Sequence, residues 1–312
     1  MPAGYSSPPA TIMGDRAPAP EPRLQFLTGF VWIDPTQYVD LATTAERAGW
    51  DGIVLSDHLV HLEKIATPYP YAEGGERPWQ AHDPYPDVWV STGAMAAVTS
   101  RIRFHQGVYV VPMRDVFVLA KALGTASLLS GGRVSLGLGL GWMREEFELV
   151  GAPFDGRAGR AAEMIEVMRK LWTGEMVEHH GKHYDFPRLQ MSPAVPHRIP
   201  IYVGGRSEAA LRRVARLGDG WIPDILSTDE LRAGIATIRR HREEAGRADD
   251  PLEVIGAPKD GVDLDAFRRM QDAGVTHLWM IPWLLYGGDT RELGVKQDAL
   301  KRFADEVIAK MR

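Results

Sequence analysis

The sequence predicts an α/β protein, a (β/α)8 (TIM) barrel with long insertions in its loops, and three observations carry that expectation. Short apolar runs alternate with amphipathic segments eight times from Leu24 onward, and strand–helix alternation builds a parallel sheet. The loop after the first run, Trp32-Ile33-Asp34-Pro35, has no glycine, whereas a doubly wound open sheet would normally carry its cofactor loop there. A length of 312 residues suits one such barrel.

The expected strands are Leu24–Val31, Gly52–Ser56, Ile102–Val110, Val134–Leu138, Ile199–Val203, Gly220–Ile222, Leu252–Gly256 and Thr276–Ile281. Each is followed by an amphipathic run: Pro35–Ala48, Asp87–Thr99, Asp115–Leu129, Arg157–Trp172, Ser207–Leu217, Thr228–Ala245, Leu264–Ala273 and Gln297–Lys310. Asp34 before Pro35 reads as an N-cap followed by the first helical residue. Gly49 ends the first helix and Gly274 the seventh, each after an alanine. Two connections exceed the usual few residues. Val60–Pro86, rich in Tyr, Trp, Pro and Gly, follows the second strand; Thr173–Arg198 precedes the fifth and contains an expected hairpin, Glu175–Phe186, around His180-Gly181-Lys182. Met1–Arg23 reads as a disordered leader rich in Pro, Ala and Ser, with Met13 as a second candidate start, and residues 24–312 as one barrel domain.

The hydrophobic content of 45% supports a large core. A net charge of −5 without a basic block argues against a nucleic-acid partner. The absence of cysteine excludes disulfides, thiol nucleophiles and cysteine-ligated metals. No apolar run approaches the ~20 residues that span a bilayer, and the first residues do not resemble a secretory signal. The expectation is a cytoplasmic protein acting on a small molecule, with no nucleic-acid or membrane partner.

A barrel places its chemistry where strands end. The second strand ends in Ser56-Asp57-His58; a histidine beside an aspartate can serve as a proton donor tuned near neutrality, or be an ordinary loop histidine. Gly107 interrupts the third strand ahead of Val108, marking a bulge that supports a planar ligand or relieves crowding. The fourth leads into Gly137-Leu138-Gly139-Leu140-Gly141-Trp142, whose alternating glycines clear one face for a flat ring, with Trp142 as a wall. Glu145 and Glu146 open a helix there, where acids favour the macrodipole, for structure or for catalysis. The fifth ends in Tyr202-Val203-Gly204-Gly205-Arg206-Ser207. This is an ordinary turn or an anion site, built from glycine backbone and helix-start N–H groups. His179, His180 and His183 lack zinc-site spacing, so no metal is expected, and no Gly-x-Ser-x-Gly elbow is present.

Taken in order, these pieces resemble the luciferase-like monooxygenase superfamily of flavin- and deazaflavin-dependent oxidoreductases. The resemblance runs through Ala48-Gly49-Trp50-Asp51-Gly52, Ser56-Asp57-His58, Ala97–Arg103, Gly107-Val108, Gly132-Arg133-Val134, Gly141-Trp142 with Glu146-Phe147, Pro200–Gly205 and Gly218-Asp219-Gly220-Trp221. It covers Leu24 to the end and is most similar to the subgroup that uses coenzyme F420, a 5-deazaflavin. It implies a bacterial luciferase-like barrel with the ring in its mouth and a homodimer through barrel helices. The site it implies has His58 and Asp57 as catalytic residues. The ring contacts are Ser56, Gly107, Val108, Gly139, Gly141 and Trp142, with a cis peptide between Gly107 and Val108. The backbone amides of Gly205, Arg206 and Ser207 hold the phosphate, and Val203 and Gly204 are cofactor-binding with them. Sugar-phosphate dehydrogenases of the subgroup carry an acid where this chain has Trp142. Tyr69, Tyr71, Trp79 and Tyr85 imply an apolar or aromatic substrate instead. Hydride transfer with F420 is the first expectation, an FMN-dependent monooxygenase the alternative, and a non-catalytic flavin-binding protein a third reading.

Overall fold

The computed structural model describes residues 23–312; the expected leader, apart from Arg23, lies outside them. Nine parallel strands form the barrel wall: β1 Gln25–Gly29, β2 Gly52–Leu55, β3 Arg103–Gln106, β4 Tyr109–Val110, β5 Leu136–Gly139, β8 Ile201–Gly204, β9 Gly220–Ile222, β10 Glu253–Gly256 and β11 His277–Met280. The antiparallel hairpin β6 Met176–His180 and β7 Asp185–Gln190 lies apart. In the wall the order is β3-β2-β1-β11-β10-β9-β8-β5-β4. β3 and β4 are two pieces of the expected third strand. It breaks at Gly107-Val108, where the peptide is cis, so β3 pairs with β2 and β4 with β5. A parallel bridge from Phe104 to Val134 closes the wall between them.

The helices are α1 Tyr38–Ala48, α2 Val88–Ala96, α3 Val116–Leu129, α4 Arg144–Leu149, α5 Arg157–Trp172, α6 Glu208–Leu217, α7 Thr228–Glu244, α8 Leu264–Asp272, α9 Pro282–Tyr286 and α10 Leu293–Phe303. A π-helical stretch, Ala304–Ile308, continues α10. The punctuation read from sequence operates as physics requires. Asp34 accepts from the Thr36 N–H at 2.9 Å ahead of Pro35. Gly49 adopts φ 95° and satisfies the last carbonyls of α1. α4 and α9 are additional short helices on the mouth side, after β5 and β11.

Alternation along the strands sorts side chains into two cores. Phe26, Ile53, Ile201, Val203, Val254 and Leu278 face the helices in the main core. Their neighbours Leu27, Val54, Tyr202, Ile222 and Ile255 pack together inside the barrel, with Val108 and Trp279 against them. Near the strand starts this interior turns polar. His105 Nδ1 meets Ser135 Oγ at 2.9 Å, and His277 Nδ1 meets Thr276 Oγ1 at 2.7 Å. Tyr202 donates to Glu253, and the His105 and His277 ring centroids lie 5.8 Å apart.

Candidate active site

Residues 56–58 leave the end of β2 in an extended run, so adjacent side chains point to opposite sides. Ser56 Oγ reaches toward the Gly107 carbonyl at 3.4 Å. Asp57 turns away from the mouth into the wall, where its carboxylate accepts from Arg114 Nη2 at 2.7 Å and the Val110 N–H at 2.9 Å. Burial pushes its carboxyl upward, while Arg114 and the amide pull it down. Arg114 in turn lies 4.5 Å over the Tyr109 ring. The sequence reading pairs Asp57 with His58; the structure corrects this, because alternation aims Asp57 at β4, where it pins the strand just past the cis peptide.

The partner of His58 comes from 88 residues away. His58 Nδ1 meets Glu146 Oε2 at 3.0 Å. The other oxygen of Glu146 accepts from the Leu59 N–H at 2.8 Å. The Glu146 side chain is 3% exposed, that of His58 13%. Glu145, its neighbour on the first turn of α4, accepts from Ala66 and Thr67 N–H at 2.7 and 3.0 Å. Two adjacent carboxylates thus hold both His58 and the start of the long loop. Sequence left their role open, and pairing across such a separation has no local signal.

The loop Val60–Pro86 folds over the mouth with Tyr69, Trp79 and Tyr85 turned inward, while Tyr71 stays 41% exposed. The His58 ring centroid lies 4.7 Å from that of Trp79, 5.1 Å from Tyr85 and 6.1 Å from Trp142. Tyr69 packs edge-on against Trp79 and Trp142 at 5.5 and 5.3 Å. Trp32 Nε1 donates to Tyr85 Oη at 2.8 Å. Burial raises the phenols of Tyr69, Tyr71 and Tyr85. Trp142 therefore stands in this wall, next to His58.

Val108 is wedged between two glycines at the mouth. A Cβ on Gly139 would come within 2.4 Å of Val108 Cγ2, and one on Gly204 within 3.0 Å of its Cγ1. The cleared face expected at Gly139 is therefore filled by Val108, whose remaining half-exposed surface forms an apolar floor with Trp279. Trp279 lies against Gly29 and Gly107, where added Cβ atoms would meet its ring at 2.4 and 3.0 Å. Sequence reading missed Trp279, whose strand position gave no sign that it faces inward over two glycines. Gly141 (φ 75°) serves packing: a Cβ there would strike Val110 and Phe147.

On the neighbouring wall, β8 ends at Gly204 and Gly205 turns with φ 103°. Ser207 caps α6, its Oγ accepting from the Ala210 N–H at 3.3 Å. The N–H groups of Gly205, Arg206 and Ser207 meet no protein acceptor among the described residues. Trp221 Nε1 fixes the loop from below through the Gly205 carbonyl at 2.8 Å. Val203 is fully buried toward the helices, so its backbone is the part available to a ligand. Two of the hairpin histidines are partnered by carboxylates: His179 meets Glu163 of α5 at 3.2 Å and His180 meets Asp185 at 2.5 Å.

The sequence profile of the luciferase-like monooxygenases matches residues 8–259. The chain belongs to that family. An uncharacterised protein of Mycobacterium tuberculosis is 40% identical over 281 residues, covering 89% of this chain and 96% of its own. An F420-dependent glucose-6-phosphate dehydrogenase of Nakamurella multipartita is 32% identical over 258 residues, covering 78% and 68%. Among solved structures, the coenzyme F420-dependent tetrahydromethanopterin reductase of Methanopyrus kandleri superposes with a TM-score of 0.72 at 18% identity, over 93% of this chain and all of that one. The FMN complex of the oxygenating constituent of 3,6-diketocamphane monooxygenase from Pseudomonas putida gives 0.58 at 21% identity, over 75% and 66%. Those structural likenesses establish a shared luciferase-like barrel. Family membership makes the chain an oxidoreductase of the luciferase-like type, with F420- and FMN-dependent proteins among its neighbours. None of the described helices is long and apolar enough to cross a membrane.

Proposed function

We propose that this protein is a coenzyme F420-dependent oxidoreductase that moves a hydride to or from an apolar small molecule. The observation that carries the reading is His58, held through Nδ1 by a buried glutamate at an aromatic mouth. The residues fit such a cofactor. Val108 and Trp279 offer an apolar floor, and the three free N–H groups of Gly205, Arg206 and Ser207 match a phosphate. When bound, the deazaflavin supplies a two-electron hydride and reacts poorly with oxygen.

The chain's own residues then have three tasks. Glu146 fixes the ring of His58 so that Nε2 is the nitrogen left to hold or release a proton at the mouth. Tyr69, Trp79, Tyr85 and Trp142 exclude water and present apolar surface to substrate. Asp57 and Arg114 hold β4, and with it Val108, in place. The name of the 32%-identical relative supports the deazaflavin reading. Trp142, standing where the family's sugar-phosphate enzymes carry an acid, favours a substrate without a sugar phosphate.

An FMN-dependent monooxygenase is the second reading, favoured by the family's name and by the FMN-bound neighbour. Titration of the purified protein with F420 and FMN, followed by anaerobic turnover with apolar alcohols, ketones and enones, tests the choice. Tight F420 binding and oxygen-independent change in the deazaflavin absorbance are expected. FMN binding with oxygen consumption would replace the proposal by the second reading.

A further inference from the structure

Arginines gather beside the mouth in excess of the carboxylates that face them, in a chain whose net charge is −5. Arg157, at the start of α5, donates from Nε to the Gly141 carbonyl at 3.1 Å and from Nη1 to that of Phe154 at 3.3 Å. Its guanidinium lies 3.7 Å over the Phe154 ring, and that of Arg144 lies 4.3 Å from the same ring. Arg160 donates to the Pro112 carbonyl at 3.1 Å. Arg213, on the second turn of α6, is half-buried and makes no hydrogen bond or ion pair among the described residues. Burial and the nearby Arg157 both weaken its proton affinity. The ion-paired carboxylate in this group is Asp155, exposed and bound to Arg144 at 3.0 Å.

A half-buried guanidinium without a counter-ion has lost hydration and gained nothing in return. The location says what would compensate it. Arg157 hangs beneath the loop after β5, and Arg213 belongs to the helix that begins at the Gly204–Ser207 loop. β5 and β8 are neighbours, Leu138 opposite Val203. The two guanidiniums are near each other and belong to the segments that follow these two neighbouring strands. We propose that Arg157 and Arg213 form a second anion site, taking the carboxylates of a tail that continues beyond the cofactor's phosphate. The inference rests on the deazaflavin reading: FMN ends at its phosphate, whereas F420 continues through a phosphodiester into a chain of glutamates. Arginine suits this ligand, since its planar fork binds carboxylates in pairs of hydrogen bonds.

The test is an equilibrium titration at low salt with F420 lacking glutamates, F420 bearing several, and FMN. The wild type should bind the tailed form about 10-fold more tightly than the tail-less form. Arg213→Gln should shrink that ratio by about 3- to 5-fold, the scale of one partly screened ion pair. Having no protein partner to lose, Arg213 can change without undoing a contact. Arg157→Lys keeps the charge but loses the paired fork, so it should shrink the ratio by less than Arg213→Gln does. Equal affinity for tailed and tail-less F420, or a ratio that Arg213→Gln leaves unmoved, overturns the tail site alone. Binding of FMN with no binding of either F420 form overturns the tail site and the deazaflavin reading together.

Discussion

His58 has two ring nitrogens and only one is engaged: Nδ1 faces Glu146, while Nε2 has no hydrogen-bond partner among the described residues. Removing the ring and removing its holder should therefore differ. His58→Ala is expected to lower kcat by roughly 10²-fold, the usual scale for a general acid–base group. Glu146→Gln should cost less in kcat than His58→Ala, since it keeps a hydrogen-bonding partner at Nδ1. Asp57→Asn should act mainly on stability, by about 3 kcal/mol, because it leaves Arg114 without its buried partner. If Asp57→Asn instead lowers kcat as much as His58→Ala with the melting temperature unchanged, Asp57 and not Glu146 is the functional partner. The tripeptide at a strand tip was legible because position alone marks it. Which carboxylate His58 meets was not, because it depends on the register of α4 across the mouth. Other matching pieces prove to be clamps. Glu46 accepts from Ser100, Arg101 and Ile102 N–H, and Arg133 donates to the Ala96, Thr99 and Ile102 carbonyls. Asp51 and Asp219 accept from the Phe26 and Ile201 N–H groups. They specify the barrel, which explains how a family can be read from residues remote from its chemistry.

At the scale of elements, the loop between β8 and α6 and the polar layer inside the barrel each make an exposed prediction. Gly205→Asp combines a Cβ at φ 103° with a negative charge beside three free N–H groups. Cofactor affinity should fall by at least 10-fold with the circular dichroism spectrum retained; unchanged affinity would remove the loop from the site. The inner layer predicts a pH dependence of stability. Burial lowers His277 from 6.5 to about 4 and holds His105 well below its usual value. The unfolded histidine takes up its proton near pH 6.5 and the folded one resists until about 4. The favourable contribution is thus complete above 6.5, declines as pH falls toward 4 and loses nothing further below that. For His277 the window amounts to about 3 kcal/mol. Urea unfolding at pH 7 and pH 4.5 should show a larger loss in the wild type than in His277→Asn. Parallel losses would mean that His277 does not titrate as its burial requires. The break of the third strand was legible from one glycine among β-branched residues, and the hairpin from its turn. The hairpin's extension to Gln190 was not, since Pro187 and Arg188 argue locally against a strand.

For the whole molecule, two neighbouring helices differ from the amphipathic ones in what they offer to the outside. α2 contains no charged residue and α3 only Lys121, whereas α6, α7 and α8 are strongly amphipathic with charged outer faces. α2 and α3 pack side by side in the barrel's outer ring. On α2, Val90 is 74% exposed and Val98, just past its end, 46%; on α3, Val118 is 67% and Leu129 69% exposed. A helix that is apolar on every side is normally covered on every side, and an apolar patch spread over two adjacent helices marks an association surface. A second copy of the chain is the expected cover, because a self-complementary apolar face closes by two-fold symmetry without needing opposite charge. A stable dimer would bury about 800 Å² per partner, an area two helices of this length can supply. Sedimentation equilibrium should find a dimer in the wild type and a monomer in Val90→Glu/Val118→Glu, whose side chains touch neither His58 nor the Gly204–Ser207 loop. The variant should keep its cofactor affinity, since the barrel mouth is formed within one chain. A wild type that stays monomeric at tens of micromolar, or a double variant that still dimerises, would show that α2 and α3 face solvent and that their apolar composition serves another purpose.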